Sequence, residues 1–395
     1  MKRNPLIRIA AAASATLLLT AAVTPAALAE PASFSNPAVS PKYTLSPRNT
    51  LPPMNPASLA GAIAGLPNDQ ATGALVQVRG SAGAWSGVSG TADLSTGAPV
   101  PANAHFRIGS ITKTFTAVVV LQLAAEHRLD LDAPVQRYLP GLLPAGYPRI
   151  TVAQLLNHTS GLPGVDLPAD PQWIVENRYT VFTPQQVLAT AFRHGLVFAP
   201  GTQQQYTNTN YLVAGLLVEK LTHHSYGDEV RDRILRPLGL RETSVPGNDP
   251  NLPAPYAHGY QVVNGQLVDL TRMNQSIPWA AGEMISTTRD LDKFLIALFQ
   301  GRLVPNPVLQ RMFTVPAVTI FGTDDPAIYS QGLMTSTVNG VTVWGKTGSR
   351  YGYTNGIWAT RDLQRRAVYS INTTDKGFEG QPEIVQKLAL AIGGL

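Results

Sequence analysis

The sequence predicts an α/β chain of the α+β type, in which an antiparallel sheet takes strands from both ends of the chain. Strand-like segments occur near the start, at Ala74–Arg79, and again near the end, within 341–372, whereas residues 111 to about 280 show helical periodicity between Pro- and Gly-rich loops. The chain has 395 residues, 44% hydrophobic and 14% charged, which is ample material for a core. We therefore expect a sheet flanked by terminal helices, with a helical subdomain inserted between its two halves.

The N-terminal residues predict export. Residues 1–29 combine a basic start, an apolar stretch over 9–22 and a small-residue cleavage site at 27–29, the pattern of a signal peptide. Residues 30–55 are rich in Pro and Ser and are predicted to form a flexible arm. The remaining chain, 56–395, is predicted to form one enzyme-sized domain.

Composition excludes several classes of function. Loss of the leader would lower the net charge from +5 to +2, and no cluster of Lys and Arg interleaved with aromatic residues occurs, which argues against nucleic-acid binding. Cysteine is absent, so disulfides, thiol catalysis and Cys-ligated metals are excluded. No second apolar run is long enough to span a membrane. We expect a soluble, secreted, monomeric product that has no membrane contact after leader cleavage.

The predicted elements follow from local patterns, taken in chain order. Pro56–Leu66 begins with Pro and carries apolar residues along one side, Ala74–Arg79 alternates as a strand, and Ile111–His127 has the strongest helical pattern in the chain. The predicted subdomains are 56–109 with 282–395, containing the sheet, and 110–281, mainly helical. The later helices are predicted at Tyr211–Leu221, Tyr226–Leu235, Asp290–Phe299 and Pro382–Ile392, and the later strands at Val341–Thr347, Asn355–Thr360 and Ala367–Asn372.

The first chemical motif is Ser110-Ile111-Thr112-Lys113, at the start of the strongest helix. Side chains three residues apart on a helix share a face, so Ser110 and Lys113 can meet. A serine hydroxyl needs a base to become a nucleophile, and a lysine in an apolar site can be neutral enough to serve. Because Ser-x-x-Lys also occurs by chance, with Ser as a helix cap and Lys in solvent, this motif alone does not decide the function.

The second motif is Tyr206-Thr207-Asn208, on a loop before a helix. Residues two apart in an extended segment point the same way, so the Tyr206 phenol and the Asn208 amide can face one cavity. Nearby cations would favour a tyrosinate there. The same letters recur at Tyr353-Thr354-Asn355, which begins only seven residues after Lys346 and leads into a strand. We therefore choose Tyr206 for the site and predict turn chemistry for Asn355.

The third motif is Lys346-Thr347-Gly348, at the end of an alternating strand. Small residues at a strand edge let a second backbone approach, as in binding of an extended peptide. Lys346 and Arg350 supply positive charge and Thr347 a hydroxyl. The N–H of Ser349 can join that of Ser110 in an oxyanion hole. The predicted substrate-binding residues are therefore Asn208, Lys346, Thr347, Gly348, Ser349 and Arg350.

With these motifs in order, the chain resembles a secreted serine D-alanyl-D-alanine carboxypeptidase of the β-lactamase-like, penicillin-recognising serine hydrolase superfamily. The resemblance runs from about residue 56 to the C-terminus and includes Leu155-Leu156-Asn157-His158-Thr159-Ser160-Gly161-Leu162. It implies a β-lactamase/transpeptidase-like fold, an acyl-enzyme on Ser110 and inhibition by penicillins. Its implied ligands are a peptidoglycan-type peptide or a β-lactam, with no metal or cofactor. The catalytic residues it implies are Ser110, Lys113 and Tyr206.

Two departures from that resemblance keep alternatives open. The middle motif is Tyr-x-Asn, as in the peptidase and class C β-lactamase branch, and the last motif begins with Lys where the carboxypeptidases carry His. The region Leu333–Thr337, which is rich in arginine in those carboxypeptidases, has no cation here. A class C-like β-lactamase, a broad esterase or D-amino-acid amidase, and a non-catalytic penicillin sensor therefore remain alternatives. His-Glu-x-x-His and Gly-x-Ser-x-Gly are both absent, which argues against a metallo-hydrolase and an α/β-hydrolase.

Overall fold

The computed structural model describes residues 52–81, 83–168, 170–338, 340–374 and 382–393. The predicted signal peptide and nearly all of the predicted flexible arm lie outside the described residues. Within the described ranges, no helix combines the length and apolar character needed to cross a bilayer.

Strands occur near both ends of the chain and in short pairs between them. The strands are β1 Ala71–Gly80, β2 Gly83–Asp93, β3 Ala98–Pro99, β4 Phe106–Arg107, β5 Gln203–Gln204, β6 Tyr260–Val263, β7 Gln266–Asp269, β8 Ile285–Ser286, β9 Thr319–Ile320, β10 Met334–Val338, β11 Val341–Arg350, β12 Tyr353–Thr360 and β13 Arg366–Thr373.

Most helices lie in the middle of the described chain, and one lies near each of its ends. The helices are α1 Pro56–Ala62, α2 Thr112–Ala125, α3 Val152–Leu156, α4 Pro171–Asn177, α5 Pro184–Ala191, α6 Thr209–Thr222, α7 Tyr226–Val230, α8 Arg236–Leu238, α9 Thr288–Phe299, α10 Asn306–Leu309 and α11 Glu383–Gly393. A π-helical turn, Arg231–Leu235, joins α7 to α8.

The main sheet of the described chain has seven strands in the order β10-β11-β12-β13-β1-β2-β3, with antiparallel pairing throughout. β1 lies beside β13, with Val76 opposite Tyr369, so the two ends of the chain meet at the centre of the sheet. α1 and α11 cover one face through Leu59 and Leu388. α9 covers the other face, where Phe294 lies in the same core as Ile357. The prediction of one antiparallel sheet built from both ends is confirmed.

α2 is the central helix of the molecule. Its residues 112 to 121 are all buried, which explains why the pattern is apolar on every side. Phe115 stacks on Phe294 of α9 with 3.8 Å between ring centroids, and Leu121 and Leu217 of α6 lie in one core. α2 therefore joins the sheet to the helical region, and the turn before it lies at their boundary.

Several predicted boundaries differ from the structure for identifiable reasons. α1 ends at Ala62 rather than Leu66, because Gly65 has a positive φ of 74° and Pro67 follows. α2 begins at Thr112 after a 3₁₀ turn and ends before His127, whose φ is 56°. β11 continues through Arg350 instead of ending at Thr347.

The edge strand β10 was not predicted. Its sequence, Met-Thr-Ser-Thr-Val, is short and polar, and its middle residues are exposed. Such a strand pairs on one side only, with β11 here, and lacks the alternating apolar pattern by which buried strands are recognised.

Candidate active site

The turn that carries Ser110 is packed directly on β11. Gly109 has a φ of 53°, and a Cβ built on it would lie 2.7 Å from the backbone N and O of Ser349. A Cβ on Gly348 would lie 2.0 Å from the carbonyl O of Ile108. Only glycine fits at both positions, and this close approach brings the end of β11 beside the hydroxyl of Ser110.

Two of the predicted catalytic residues, Tyr206 and Lys113, meet at the hydroxyl of the third, Ser110. The phenol of Tyr206 donates a hydrogen bond of 2.6 Å to Ser110 Oγ, and Lys113 Nζ lies 3.1 Å from the same oxygen. Tyr206 reaches the site from the loop before α6, and Lys113 from the first turn of α2. Ser110 is half-buried, so its hydroxyl remains accessible to a substrate. The arrangement has the geometry of a nucleophile with two proton-transfer groups.

Lys113 is held by two further acceptors. Its Nζ donates 2.7 Å to Oδ1 of Asn208 and 2.8 Å to the carbonyl O of Ala281. Burial, with the nearby charges of Lys346 and Arg350, holds the pKa of Lys113 well below its usual value. A neutral amine has two hydrogens, which these two acceptors take, so its lone pair points toward Ser110.

Tyr206 lies within a cluster of rings and amines. The His158 ring centroid is 4.5 Å from that of Tyr206, and the Tyr329 centroid 5.3 Å. Lys113 Nζ and Lys346 Nζ lie 4.8 and 4.9 Å from the Tyr206 ring centroid. Desolvation raises the pKa of Tyr206, so the phenol stays protonated, contrary to the tyrosinate expected from nearby cations. Burying a charged tyrosinate costs more free energy than the two amines could recover by attracting it. Burial also lowers the pKa values of both amines, which reduces their positive charge.

His158 fixes the segment that carries Tyr206. Its Nδ1 lies 3.3 Å from the backbone N of Thr207 and 3.1 Å from Nδ2 of Asn210, so Nδ1 accepts and the ring is the neutral Nε2–H tautomer. Burial and the charges of Lys113 and Lys346 lower the pKa of His158 well below its usual value, in agreement with a neutral ring.

The residues of β11 line the other side of the site. Lys346 is 3% exposed, donates to the carbonyl O of Thr347 at 3.0 Å, and has a pKa lowered to about 7 by burial. β10 pairs with β11 only as far as Gly345. Among the described residues, no strand pairs with that edge of β11 over residues 346 to 350, which leaves it open toward the Ser110 turn.

Thr347 and Arg350 make few contacts of their own. Thr347 Oγ1 lies 3.8 Å from Sδ of Met334, and Nη2 of Arg350 lies 3.7 Å from Sδ of Met273. The Nε of Arg350 is buried without a hydrogen-bond partner. The charge of Arg350 contributes to the lowered pKa of Lys113, which places it within electrostatic reach of the proton-transfer groups.

The second Tyr-Thr-Asn string has a structural role. Tyr353 begins β12, is fully buried, and donates its hydroxyl to the carbonyl O of Ala257 at 2.8 Å. The turn predicted for Asn355 is wrong, because Asn355 lies within β12. Its Nδ2 donates 2.8 Å to the carbonyl O of Arg107 and so ties the sheet to the segment before the Ser110 turn.

Two contributors to the site were not named as site residues from the sequence. Ala281 acts through its carbonyl, and an alanine carries no signal for such a role. His158 lies within the Leu155–Leu162 segment of the family resemblance, and that segment was the sequence feature that could have identified it as a site residue. Within the described residues, no group of three or more His, Asp or Glu side chains is arranged to hold a metal ion.

The fold and the site define a class: a serine hydrolase in which a Ser-x-x-Lys turn faces an open strand edge of an antiparallel sheet. A family model described as beta-lactamase matches residues 59–391, and the chain belongs to this family of serine hydrolases. The prediction of a β-lactamase/transpeptidase-like fold is confirmed.

Characterised relatives and solved structures support the same class. Penicillin-binding protein 4* of Bacillus subtilis (strain 168) is 28% identical over 240 residues, covering 57% of this chain and 51% of that protein. This chain thus spans about half the length of that curated relative. A D-stereospecific amidohydrolase from Streptomyces sp. is 36% identical, with a TM-score of 0.74 over 84% of this chain and 98% of that one. The D-amino acid amidase of Ochrobactrum anthropi SV3, solved with D-phenylalanine, is 27% identical, with a TM-score of 0.73 over 85% and 97%.

Proposed function

We propose that this protein is a serine amidohydrolase that cleaves the amide bond on the carbonyl side of a D-amino-acid residue through an acyl-enzyme on Ser110. The observation that carries the chemistry is the Ser110 hydroxyl, 3.1 Å from a lysine nitrogen and 2.6 Å from a phenol. Support for a D-residue comes from the two amidohydrolase structures, which this chain resembles over more than four-fifths of its length.

Acylation starts from a neutral Lys113. Its lone pair takes the proton of Ser110 as Oγ attacks the substrate carbonyl carbon, giving a tetrahedral oxyanion. The backbone N–H groups of Ser110 and Ser349 are the proposed donors to that oxyanion. Loss of one such donor typically lowers the rate by about 10²–10³.

Collapse of the oxyanion requires a proton for the leaving nitrogen. Tyr206 supplies this proton, because its phenol is protonated and lies against the attacking oxygen. The proton that Lys113 took from Ser110 then passes to the Tyr206 oxygen and restores the phenol. Water attacks the acyl carbon next, and the same pair removes one of its protons. That proton is returned to Ser110 Oγ as the bond between the acyl carbon and Oγ breaks, which releases the acid product. No net proton is gained or lost by the pair over the cycle.

The test compares the D and L isomers of phenylalanine amide as substrates. We expect kcat/KM for the D isomer to exceed that for the L isomer by at least about tenfold, the scale of a single binding difference. Ser110→Ala should lower turnover by on the order of 10⁶. Equal rates on both isomers would overturn the D-specific proposal, whereas turnover retained in Ser110→Ala would overturn the nucleophile.

A D-alanyl-D-alanine carboxypeptidase is the second candidate, favoured by Arg350. Its Nε has no hydrogen-bond partner, and the side chain stands at the end of the open β11 edge, where a substrate extended along that edge would place its terminal carboxylate. Lys346 and Thr347 on the same strand can add contacts. A carboxypeptidase needs such a cation beyond the scissile bond.

This candidate predicts a preference for a free carboxylate. A peptide ending in D-Ala-D-Ala should be cleaved at least about tenfold faster than its C-terminal amide, because one charge-assisted hydrogen bond contributes roughly 1.5–3 kcal/mol. Arg350→Gln should abolish the preference. Equal rates on acid and amide leave the amidase as the activity. Penicillin hydrolysed at many turnovers per second would indicate a β-lactamase, and penicillin labelling with no turnover of any substrate would indicate a sensor.

A further inference from the structure

Gln204 is a buried amide two residues before Tyr206, and no step of the proposed reaction uses it. It is 1% exposed and belongs to β5, the short strand that pairs in parallel with β9. An amide buried without hydrogen bonds would destabilise the fold. The partners of this amide therefore show which parts of the molecule it holds together.

The side-chain amide of Gln204 spends its full hydrogen-bonding capacity on the backbone of two other segments. Its Nε2 donates to the carbonyl O of Asn157 and to the carbonyl O of Tyr329, both at 2.8 Å. Its Oε1 accepts from the backbone N of Ile328 at 2.8 Å and from that of Tyr329 at 2.9 Å. A primary amide has two N–H donors and one oxygen with two lone pairs, so all four positions are filled.

The two segments joined by Gln204 carry the rings that enclose Tyr206. Asn157 directly precedes His158, and the other segment contains Tyr329 itself. The ring centroids of His158 and Tyr329 lie 5.1 Å apart, and they lie 4.5 and 5.3 Å from that of Tyr206. These three side chains form one ring cluster, and a single amide fixes the backbone on both sides of it.

The position of the Tyr206 ring matters because its phenol oxygen lies only 2.6 Å from Ser110 Oγ. Hydrogen bonds weaken steeply as distance and angle depart from their best values. A displacement of about 1 Å, even from a substitution far from the reacting atoms, can cost about 10²-fold in rate. A shift of either neighbouring ring would leave the phenol free to move away from Ser110.

We propose that Gln204 is a positioning residue, because its amide fixes the ring cluster and so keeps the Tyr206 phenol against Ser110. The inference rests on the proposed role of Tyr206 as proton donor in acyl transfer. All four side-chain bonds of Gln204 go to backbone groups that take no part in the reaction. Its effect on the rate must therefore pass through the Tyr206 ring.

A double-mutant cycle in the full chain tests this inference, with kcat/KM for D-phenylalanine amide as the readout. Gln204→Met removes the amide at nearly constant length and should lower kcat/KM at least about tenfold. In the Tyr206→Phe background the hydroxyl to be positioned is absent, so the same substitution should change kcat/KM by less than about twofold. A residue with only a general structural role would give the same factor in both backgrounds.

A second substitution makes the result independent of the folding of one variant. Gln204→Glu keeps the shape of the side chain and its accepted bonds, but it loses at least one of the two donated bonds. It should lower kcat/KM at least about threefold, and again by less than about twofold in the Tyr206→Phe background. Circular dichroism of each variant checks that it is folded.

Gln122→Met is the matched control. Gln122 lies on α2, and its Nε2 also donates to a backbone carbonyl, that of Leu303 at 2.8 Å, outside the ring cluster. This variant should leave kcat/KM within about twofold of wild type, because the Tyr206 ring keeps all its neighbours.

Three results would overturn the inference: equal factors in the two backgrounds, wild-type kcat/KM in both Gln204 variants, or a loss in Gln122→Met as large as that in Gln204→Met. Failure of the proposed function has different signs. Turnover retained in Ser110→Ala would overturn the nucleophile, and wild-type turnover in Tyr206→Phe would overturn the proton donor on which this inference rests.

Discussion

At the scale of single residues, the site depends on two lysine amines whose hydrogen-bond acceptors are not carboxylates. Lys113 and Lys346 are both buried, and each donates to amide or carbonyl oxygens rather than to an acid. Without a counter-charge, burial lowers both pKa values, and the value for Lys346 falls to about 7. A neutral Lys113 can accept a proton, whereas a Tyr206 with a raised pKa can only donate one at first. The two proton-transfer roles are therefore divided by environment.

Tyr206→Phe tests that division of roles. Removal of the hydroxyl leaves the ring packing against His158 intact and should lower the rate of acylation by about 10²–10⁴, the range for a general acid–base group. Stopped-flow measurement of penicillin acylation, followed by mass spectrometry of the intact protein, gives this rate. Because Lys113 and Tyr206 titrate as a coupled unit, the pH profile of the rate belongs to the pair.

Tyr353→Phe is the matched control for this experiment, since it removes the same atom from the same three-letter string. It should leave acylation within a few-fold and lower stability by about 1 kcal/mol through loss of the hydrogen bond to Ala257. A large acylation defect in Tyr353→Phe with none in Tyr206→Phe would show that the wrong copy of the string was chosen.

The residues of the site differ in how far a sequence can reveal them. Ser110, Lys113 and Tyr206 carry reactive groups in short motifs, so residue type and spacing were enough to select them for a common site. The carbonyl of Ala281 leaves no trace in residue type, because every residue has one. The pKa of Tyr206 depends on how many atoms exclude water from the phenol, which is a property of the packed structure.

At the scale of elements, periodicity predicted the long and buried segments. α2 and the central strands β12 and β13 were identified because burial on one or both sides imposes an apolar pattern. β10 was missed because an edge strand has polar side chains and takes its conformation from β11. The end of β11 was placed three residues early, since Gly348 weakens the strand pattern although it is needed for contact with the Ser110 turn. A residue needed for function, such as Gly348, can therefore interrupt the strand pattern from which the element would be predicted.

At the scale of the whole molecule, the site exists because distant segments meet between the sheet and the helical region. The pairing of β1 with β13 closes the sheet, and α2 passes from the Ser110 turn into the centre of the fold. The sequence could predict this class of architecture from the order of strand and helix patterns. It could not predict the buried acid Glu283, because a glutamate after a glycine is ordinarily exposed.

Glu283 makes the stability of the whole molecule depend on pH. Its pKa is about 8 in the folded protein against an ordinary value of 4.5, so the folded state binds its proton more tightly than the unfolded state. The contribution of this group to the free energy of unfolding is therefore greatest below about pH 4.5, and it is lost as the pH rises toward 8. Glu283→Gln keeps the shape of the neutral acid and has no such loss.

We predict that Glu283→Gln and wild type have nearly equal free energies of unfolding at pH 5, and that at pH 8.5 the variant is the more stable by about 3–5 kcal/mol. Urea denaturation at both pH values measures the difference. Asp232→Asn, which removes a half-exposed acid paired with Arg231, should follow the wild-type pH dependence. If the Glu283→Gln and wild-type values fell in parallel from pH 5 to pH 8.5, the carboxyl would be ionised in the folded protein at both pH values. That result would mean that a donor within the chain, such as the backbone N–H of Gly247, stabilises the charged carboxylate enough to offset its burial.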